Sequence, residues 1–212
     1  ASEFETYPDQ QPLNCQDLIA YCARVSNPSN QMNTETSEKL IKYLVKHAHW
    51  SPLEMVNACL EIKTTRDIAH QIVRHRSFSF QEFSQRYADP EAQGDLFEYS
   101  EARLQDTKNR QNSITIDDQK LQDEWKNRQE EVALAAKYAY DWAIDQGIAK
   151  EQARKVLPEG LTKTTLYMNG TLRSWVHYIE LRSANGTQKE HMDIAKECAV
   201  VIAKIFPMAK DL

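Results

Sequence analysis

Glycine and proline are scarce: 5 and 7 among 212 residues. That scarcity argues against linker-rich, collagen-like or many-turned all-β architectures and favours helices. The five glycines nowhere space as G-x-G-x-x-G, so a phosphate-cradling glycine loop is missing. No run of about 18 apolar residues occurs, so no membrane span is expected, and no charged-then-apolar leader pattern stands at the start, so a cytoplasmic location is expected. Cys15, Cys22, Cys59 and Cys198 form no C-x-x-C pair and match no zinc-ligand spacing. They are expected to be reduced structural thiols. A basic excess is also missing. The formal net charge is −5 and the pI about 5.7, which weighs against a nucleic-acid-binding face.

The charge that is present is unevenly placed. From Pro90 to Glu131 eleven acids face six bases, an excess equal to that of the whole chain, whereas Arg74 to Arg86 holds three arginines against Glu82. The acidic stretch, about 89–123, is expected to be a solvated excursion from a single domain spanning 1–212.

Periodicity predicts helices over Gln16–Val25 with Asn14 as cap, Thr36–Ala48, a segment opening at Thr64 or Thr65, Asp118–Gln146 stopped by Gly147, Ala149–Val156, a helix from Leu172, and a last one to about Ile205 opened by a Thr187-x-x-Glu190 capping box. Alternation over Val56–Lys63 and the Thr, Leu and Tyr content of Thr162–Met168 predict strands. The result is an α+β fold, mostly helical, with a small central sheet. Trp125, Trp142 and Trp175 fall at core spacing, Trp50 lies in a turn open to a ligand, and His191 is expected to face solvent. His47 and His49 form His-x-His, but with no carboxylate spacing to match they are expected to be packed histidines, and no metal is expected.

The segment from Arg74 to Tyr87, RHRSFSFQEFSQRY, carries the chemistry. Guanidinium forks match phosphate oxygens, and Gln81, Glu82 and Ser84 add groups suited to ring edges and hydroxyls. The residues alone leave two readings open: a nucleotide pocket, or a surface basic strip paired with the acidic stretch.

The same segment resembles the signature of the flavin-dependent thymidylate synthases: Arg-His-Arg, seven residues, then Ser84-Gln85-Arg86-Tyr87. His49-x-Ser51-Pro52-x-Glu54 resembles the family's upstream element, and Leu172-Arg173-Ser174 with Leu181-Arg182 its downstream helix. The resemblance spans roughly Asp17 to Pro207. Departures are Gln81, where the family has Asn, and Met55, where it has a second His.

The resemblance implies methylation of dUMP to dTMP, with methylenetetrahydrofolate as carbon donor, reduced FAD as hydride source, NADPH as reductant, and a homotetramer whose sites are shared between subunits. By position, Ser51, Arg74, His75, Arg76, Glu82, Asn169, Thr171, Arg173 and His177 would meet FAD. Gln71, Arg74, Glu82, Ser84, Gln85, Arg86, Arg154 and Arg182 would meet dUMP. No cysteine lies in a cationic motif that would make it a nucleophile. A cation at the pyrimidine N3–C=O edge is the alternative activator, and Arg182, ending an amphipathic helix, is the candidate catalytic residue. A non-catalytic nucleic-acid module, and a relative transferring a different one-carbon unit, are the competing hypotheses.

Overall fold

A computed structural model of the chain describes residues 13–210. In chain order its helices are α1 (Cys15–Ala23), α2 (Ser37–Lys46), α3 (Arg66–Ile72), α4 (Gln119–Asp145), α5 (Lys150–Ala153), α6 (Leu172–Arg182) and α7 (Lys189–Ile205). Its strands are β1 (Asn57–Thr65), β2 (Ser79–Glu82), β3 (Arg103–Gln105), β4 (Ser113–Thr115) and β5 (Lys163–Thr171). The expected α+β, mostly helical architecture is what forms.

The sheet is antiparallel in the order β1-β5-β2, with β5 in the middle. Alternation puts Ala58, Leu60, Ile62 and Thr64 of β1 on the buried face, with Leu166 and Met168 of β5 beside them. Side chains of α1, α3, α6 and α7 complete that core, including Ile19, Ile68, Ile72, Trp175, Tyr178, Ala195 and Ile202. Cys59, Glu61, Tyr167 and Asn169 point from the other face and are exposed. Trp175 is fully buried, and its indole N–H donates to the Ala58 carbonyl at 3.0 Å, so the ring fills the core without an unmet donor.

Gly170 has a steric reason to be glycine. A Cβ there would lie 2.4 Å from Cδ1 of Phe78, the residue just before β2, whose ring packs edge-on to Trp175 at 4.9 Å. Sheet register therefore fixes where the Arg74–Arg86 segment crosses the sheet.

Several local expectations hold. Asn14 caps α1, accepting from the Asp17 N–H at 2.9 Å, and Asp118 caps α4 through the Leu121 N–H at 3.0 Å. Gly147 follows α4 with φ 74°, the left-handed stop that favours glycine. Others fail. The Thr187/Glu190 capping box does not form: Gln188 is the cap residue and makes no side-chain cap bond. Glu190 instead takes Arg103 Nη2 at 2.6 Å, which clamps the β3–β4 hairpin of the acidic stretch onto α7. Trp125 and Trp142 are exposed, because the buried stripe of α4 runs through Gln129, Ala133, Ala136, Tyr140 and Ala143. His191 is fully buried, not solvent-facing.

Candidate active site

The C-terminus of α3 and the turn after it deliver Gln71, Arg74, His75 and Arg76. Arg74 and Arg76 are exposed and have no side-chain partner among the described residues. His75 is half-buried. Its Nε2 accepts from Arg182 Nε at 2.8 Å, and its ring packs edge-on to Tyr178 at 4.9 Å. Burial, then the Arg182 charge, hold its pKa below the ordinary imidazole range. Arg182 reaches this point because it ends the buried stripe of α6, one turn beyond Tyr178.

Behind this pair lies His191, its Nε2 3.1 Å from the Tyr178 hydroxyl. Burial, then the charges of Arg182 and His75, push its pKa down to about 4, so it is neutral near pH 7. Gln71 Nε2 donates to Gln188 Oε1 at 2.8 Å, joining the start of α7 to the same corner.

The opposite side of α6 carries Arg173 and His177, one turn apart. Arg173 is ion-paired with Glu54, and His177 packs edge-on to Trp50 at 4.5 Å. Trp50, Ser51, His49 and Arg173 line a hollow of about 470 Å³. The Ser51-Pro52-x-Glu54 element and α6 are thus tied into one wall. Thr171 caps α6, accepting from the Ser174 N–H at 3.2 Å, so its hydroxyl is already engaged, and Asn169 is exposed two residues earlier on β5.

Glu82 is the member of the set most tightly bound up. Its Oε1 accepts from Thr164 Oγ1 at 2.9 Å and from Arg66 Nη1 at 3.3 Å, and Arg66 also reaches Glu159 at 3.2 Å. Gln85 is buried with its Nε2 donor unpartnered. Half-buried Ser84 accepts the Tyr87 N–H on its carbonyl, and Arg86 reaches Glu151 at 3.8 Å and lies 5.4 Å from the Tyr87 ring. Arg154, half-buried near Glu151 in sequence, has no side-chain partner among the described residues.

Contacts therefore join His75 to Arg182 and Gln71 to Gln188, with Arg74 and Arg76 flanking His75 in sequence, and set Ser51 and Arg173 along one hollow beside His177, while Glu82 lies on the sheet and Arg86 and Arg154 bond to none of these among the described residues. Periodicity alone missed Tyr178, His191 and Arg66. The i, i+4 spacing of Tyr178 and Arg182 was the available sign that both share one stripe.

These features define an α+β protein with a glycine-loop-free, arginine-rich corner built on one sheet and two helices. The profile of the family described as thymidylate synthase complementing protein (Thy1) matches residues 10–208. A probable flavin-dependent thymidylate synthase of Paramecium bursaria Chlorella virus 1 is 50% identical over 91% of this chain and 87% of its own length. The flavin-dependent thymidylate synthase of Synechocystis is 48% identical over 94% and 89%. A solved UMP/dUMP methylase, PolB of Streptomyces cacaoi, shares the fold with a TM-score of 0.78 at 24% identity, over 92% of this chain and 88% of that one. The chain belongs to the family of flavin-dependent thymidylate synthases, methyltransferase-type enzymes.

Proposed function

We propose that the enzyme methylates dUMP to dTMP, taking the carbon from methylenetetrahydrofolate and the hydride from FADH2 that NADPH has reduced, without a cysteine nucleophile. The observation that carries this is the state of Arg182. Its one side-chain partner among the described residues is an imidazole held toward neutrality, so its positive charge is uncompensated. Placed at the uracil N3–C=O edge, that charge favours the ionised ring and makes C5 more nucleophilic. Ser84 orients substrate. Gln71, Arg74, Glu82, Gln85, Arg86 and Arg154 supply the remaining contacts to dUMP, the buried free donor of Gln85 awaiting an acceptor.

The thiols support a cysteine-free route. Burial foremost pushes the Cys198 thiol up to about 12, and burial also raises Cys22. Cys59 is exposed on the sheet face turned away from α6.

The residues present fit FAD. Arg74 and Arg76 are uncompensated cations two positions apart, a charge pair suited to a diphosphate, and the hollow beside Ser51 and Arg173 is flanked by the Trp50–His177 pair. His75, Glu82, Asn169 and Thr171 complete the set, Glu82 and Thr171 with partly engaged oxygens. Bound there, the flavin supplies the hydride chemistry, and the protein supplies position and electrostatics.

A homotetramer with shared sites accounts for two further features. Arg86 and Arg154 contact neither Arg182 nor His75. Leu134, Tyr138 and Trp142, at i, i+4 and i+8 on α4, are 71%, 77% and 54% exposed, a row of apolar side chains that a neighbouring subunit would cover. No described helix is long and apolar enough to cross a membrane; a cytoplasmic location is part of the proposal.

The test is direct. Purified protein supplied with FAD should show flavin absorbance and folate-dependent release of tritium from C5-labelled dUMP, with a product of dTMP mass. Absence of both signals would refute the assignment, and a different product mass would make the chain a one-carbon transferase of another kind.

A further inference from the structure

Of the arginines around the corner, Arg74, Arg76 and Arg154 have no side-chain partner among the described residues, and others are neutralised by carboxylates. Arg66 faces Glu82 and Glu159, Arg103 faces Glu101 and Glu190, and Arg173 faces Glu54. Arg182 differs: it is half-buried, yet no carboxylate reaches it among the described residues, and its Nε–H goes to an imidazole nitrogen. A ring nitrogen that accepts carries no proton, so the His75 proton resides on Nδ1. One bond through Nε fixes the plane of a guanidinium while leaving both Nη groups and the full charge for a ligand.

Three groups pack around His75 from α6 and α7. Arg182 and Tyr178 come from α6, and His191, with its ring centroid 6.2 Å away, comes from α7. Tyr178 is buried, its hydroxyl is paired with His191, and burial raises its pKa, so it is uncharged. His191 is uncharged for the reason given above. With no anion facing the ring among the described residues to stabilise an imidazolium, and one cation 2.8 Å away opposing it, the surroundings select the neutral acceptor form.

We propose that His75 is the positioning residue of the reaction: as a neutral acceptor at Nε2 it aims Arg182 at the substrate, with the buried Tyr178–His191 pair as the uncharged backing that holds its ring in place. This goes beyond any contact of His75 with flavin, and it rests on the assignment of Arg182 to substrate activation.

Two variants separate aiming from packing and from flavin binding. H75Q keeps an acceptor and loses the ring. H75F keeps a ring against Tyr178 and loses the acceptor. With flavin occupancy measured by absorbance and rates normalised to it, H75Q should lose clearly less kcat/KM for dUMP than H75F, because its amide oxygen restores an acceptor for Arg182. H75F should lose roughly tenfold or more, the cost of an unaimed charged donor. The parent profile should also fall on the acid side as His75 gains a proton and can no longer accept, and that limb should be gone in H75Q. Equal rates for the two variants, a better H75F, or an unchanged acid limb would overturn the proposal.

Nitrogen-15 NMR of the flavin-free protein decides the matter where both variants lose flavin, or where the parent makes no dTMP. At neutral pH His75 should show a bare Nε2 and a protonated Nδ1, and R182A should disturb that tautomer. A protonated Nε2 in the parent would sink the proposal whatever the activity, whereas a bare Nε2 with no dTMP formed would count against the function and leave the pair standing.

Discussion

Gly170→Ala offers a sharp test of how the sheet positions the motif segment. The added Cβ would stand 2.4 and 2.6 Å from Cδ1 and Cε1 of Phe78, distances that real side chains do not tolerate. Phe78 cannot swing away freely, because Trp175, Tyr178 and Phe80 surround it at centroid distances of 4.9, 5.9 and 6.3 Å. Overpacking of this kind costs about 1–3 kcal/mol. The alanine returns roughly 0.4–1 kcal/mol by restricting the unfolded chain. Overpacking wins, for a net loss of about 1–2 kcal/mol and a fall in Tm of roughly 2–8 °C at this chain length. Thermal unfolding at matched concentration and flavin content measures it. F78L should relieve the clash, so the double variant should be less destabilised than the sum of the singles. A Tm for G170A equal to or above that of the parent, or strict additivity with F78L, would refute the reasoning.

Replacing Arg182 by Ala should lower dTMP formation by roughly 100-fold or more while flavin stays bound; turnover retained with bound flavin contradicts the activation scheme. Cys59→Ser should leave turnover within about twofold, and a loss beyond about tenfold would bring a thiol nucleophile back. Arg103→Ala should free the β3–β4 hairpin from α7 and cost roughly 1–2 kcal/mol, discounted because Glu190 is about a third exposed. Faster amide exchange confined to 103–115 is the expected readout, and unchanged protection would deny the clamp. The same clamp should weaken with acid. Burial alone would raise the Glu190 pKa, but bonds from its own backbone N–H, Arg103 and Gln188 outweigh it and hold the carboxyl below the ordinary value of 4.5. Its contribution is therefore complete above that value and is lost as pH falls below it, so hairpin exchange that stays flat through this range would count against the ion pair.

Secondary structure was largely legible because its causes are local. Alternation marked β1, Asn14 and Asp118 marked helix starts, and Gly147 marked a stop. The failures share a physical origin in partners distant in sequence. Glu190 reads as a capping-box residue until Arg103, 87 positions away, takes its carboxylate. Trp125 and Trp142 read as core, but the small side chains of α4, Ala133, Ala136 and Ala143, are what let other elements approach, and they choose the buried side. His191 follows an acid and a lysine and reads as surface, yet its ring fills the space behind Tyr178.

Compensation is the property of the site that sequence could least reveal. The motif identifies which arginines are present but not which retain a free charge, because that depends on where Glu54, Glu82, Glu159 and Glu190 fold. Arg173 and Arg66 lie in or near the same elements as Arg182 and are chemically identical to it, yet both are spoken for by carboxylates. An arginine already paired pays to leave its partner before it can stabilise charge on a ligand, whereas Arg182, held only by a neutral nitrogen, has no such partner to leave. Under the proposed function, the distinction favours Arg182 over Arg173 and Arg66 as the activating charge, with Arg173 tied to Glu54 beside Ser51. It also makes a net charge of −5 compatible with the proposed anionic ligands: the excess acids lie mainly in the 90–131 stretch, while Arg74, Arg76 and Arg182 face no carboxylate among the described residues.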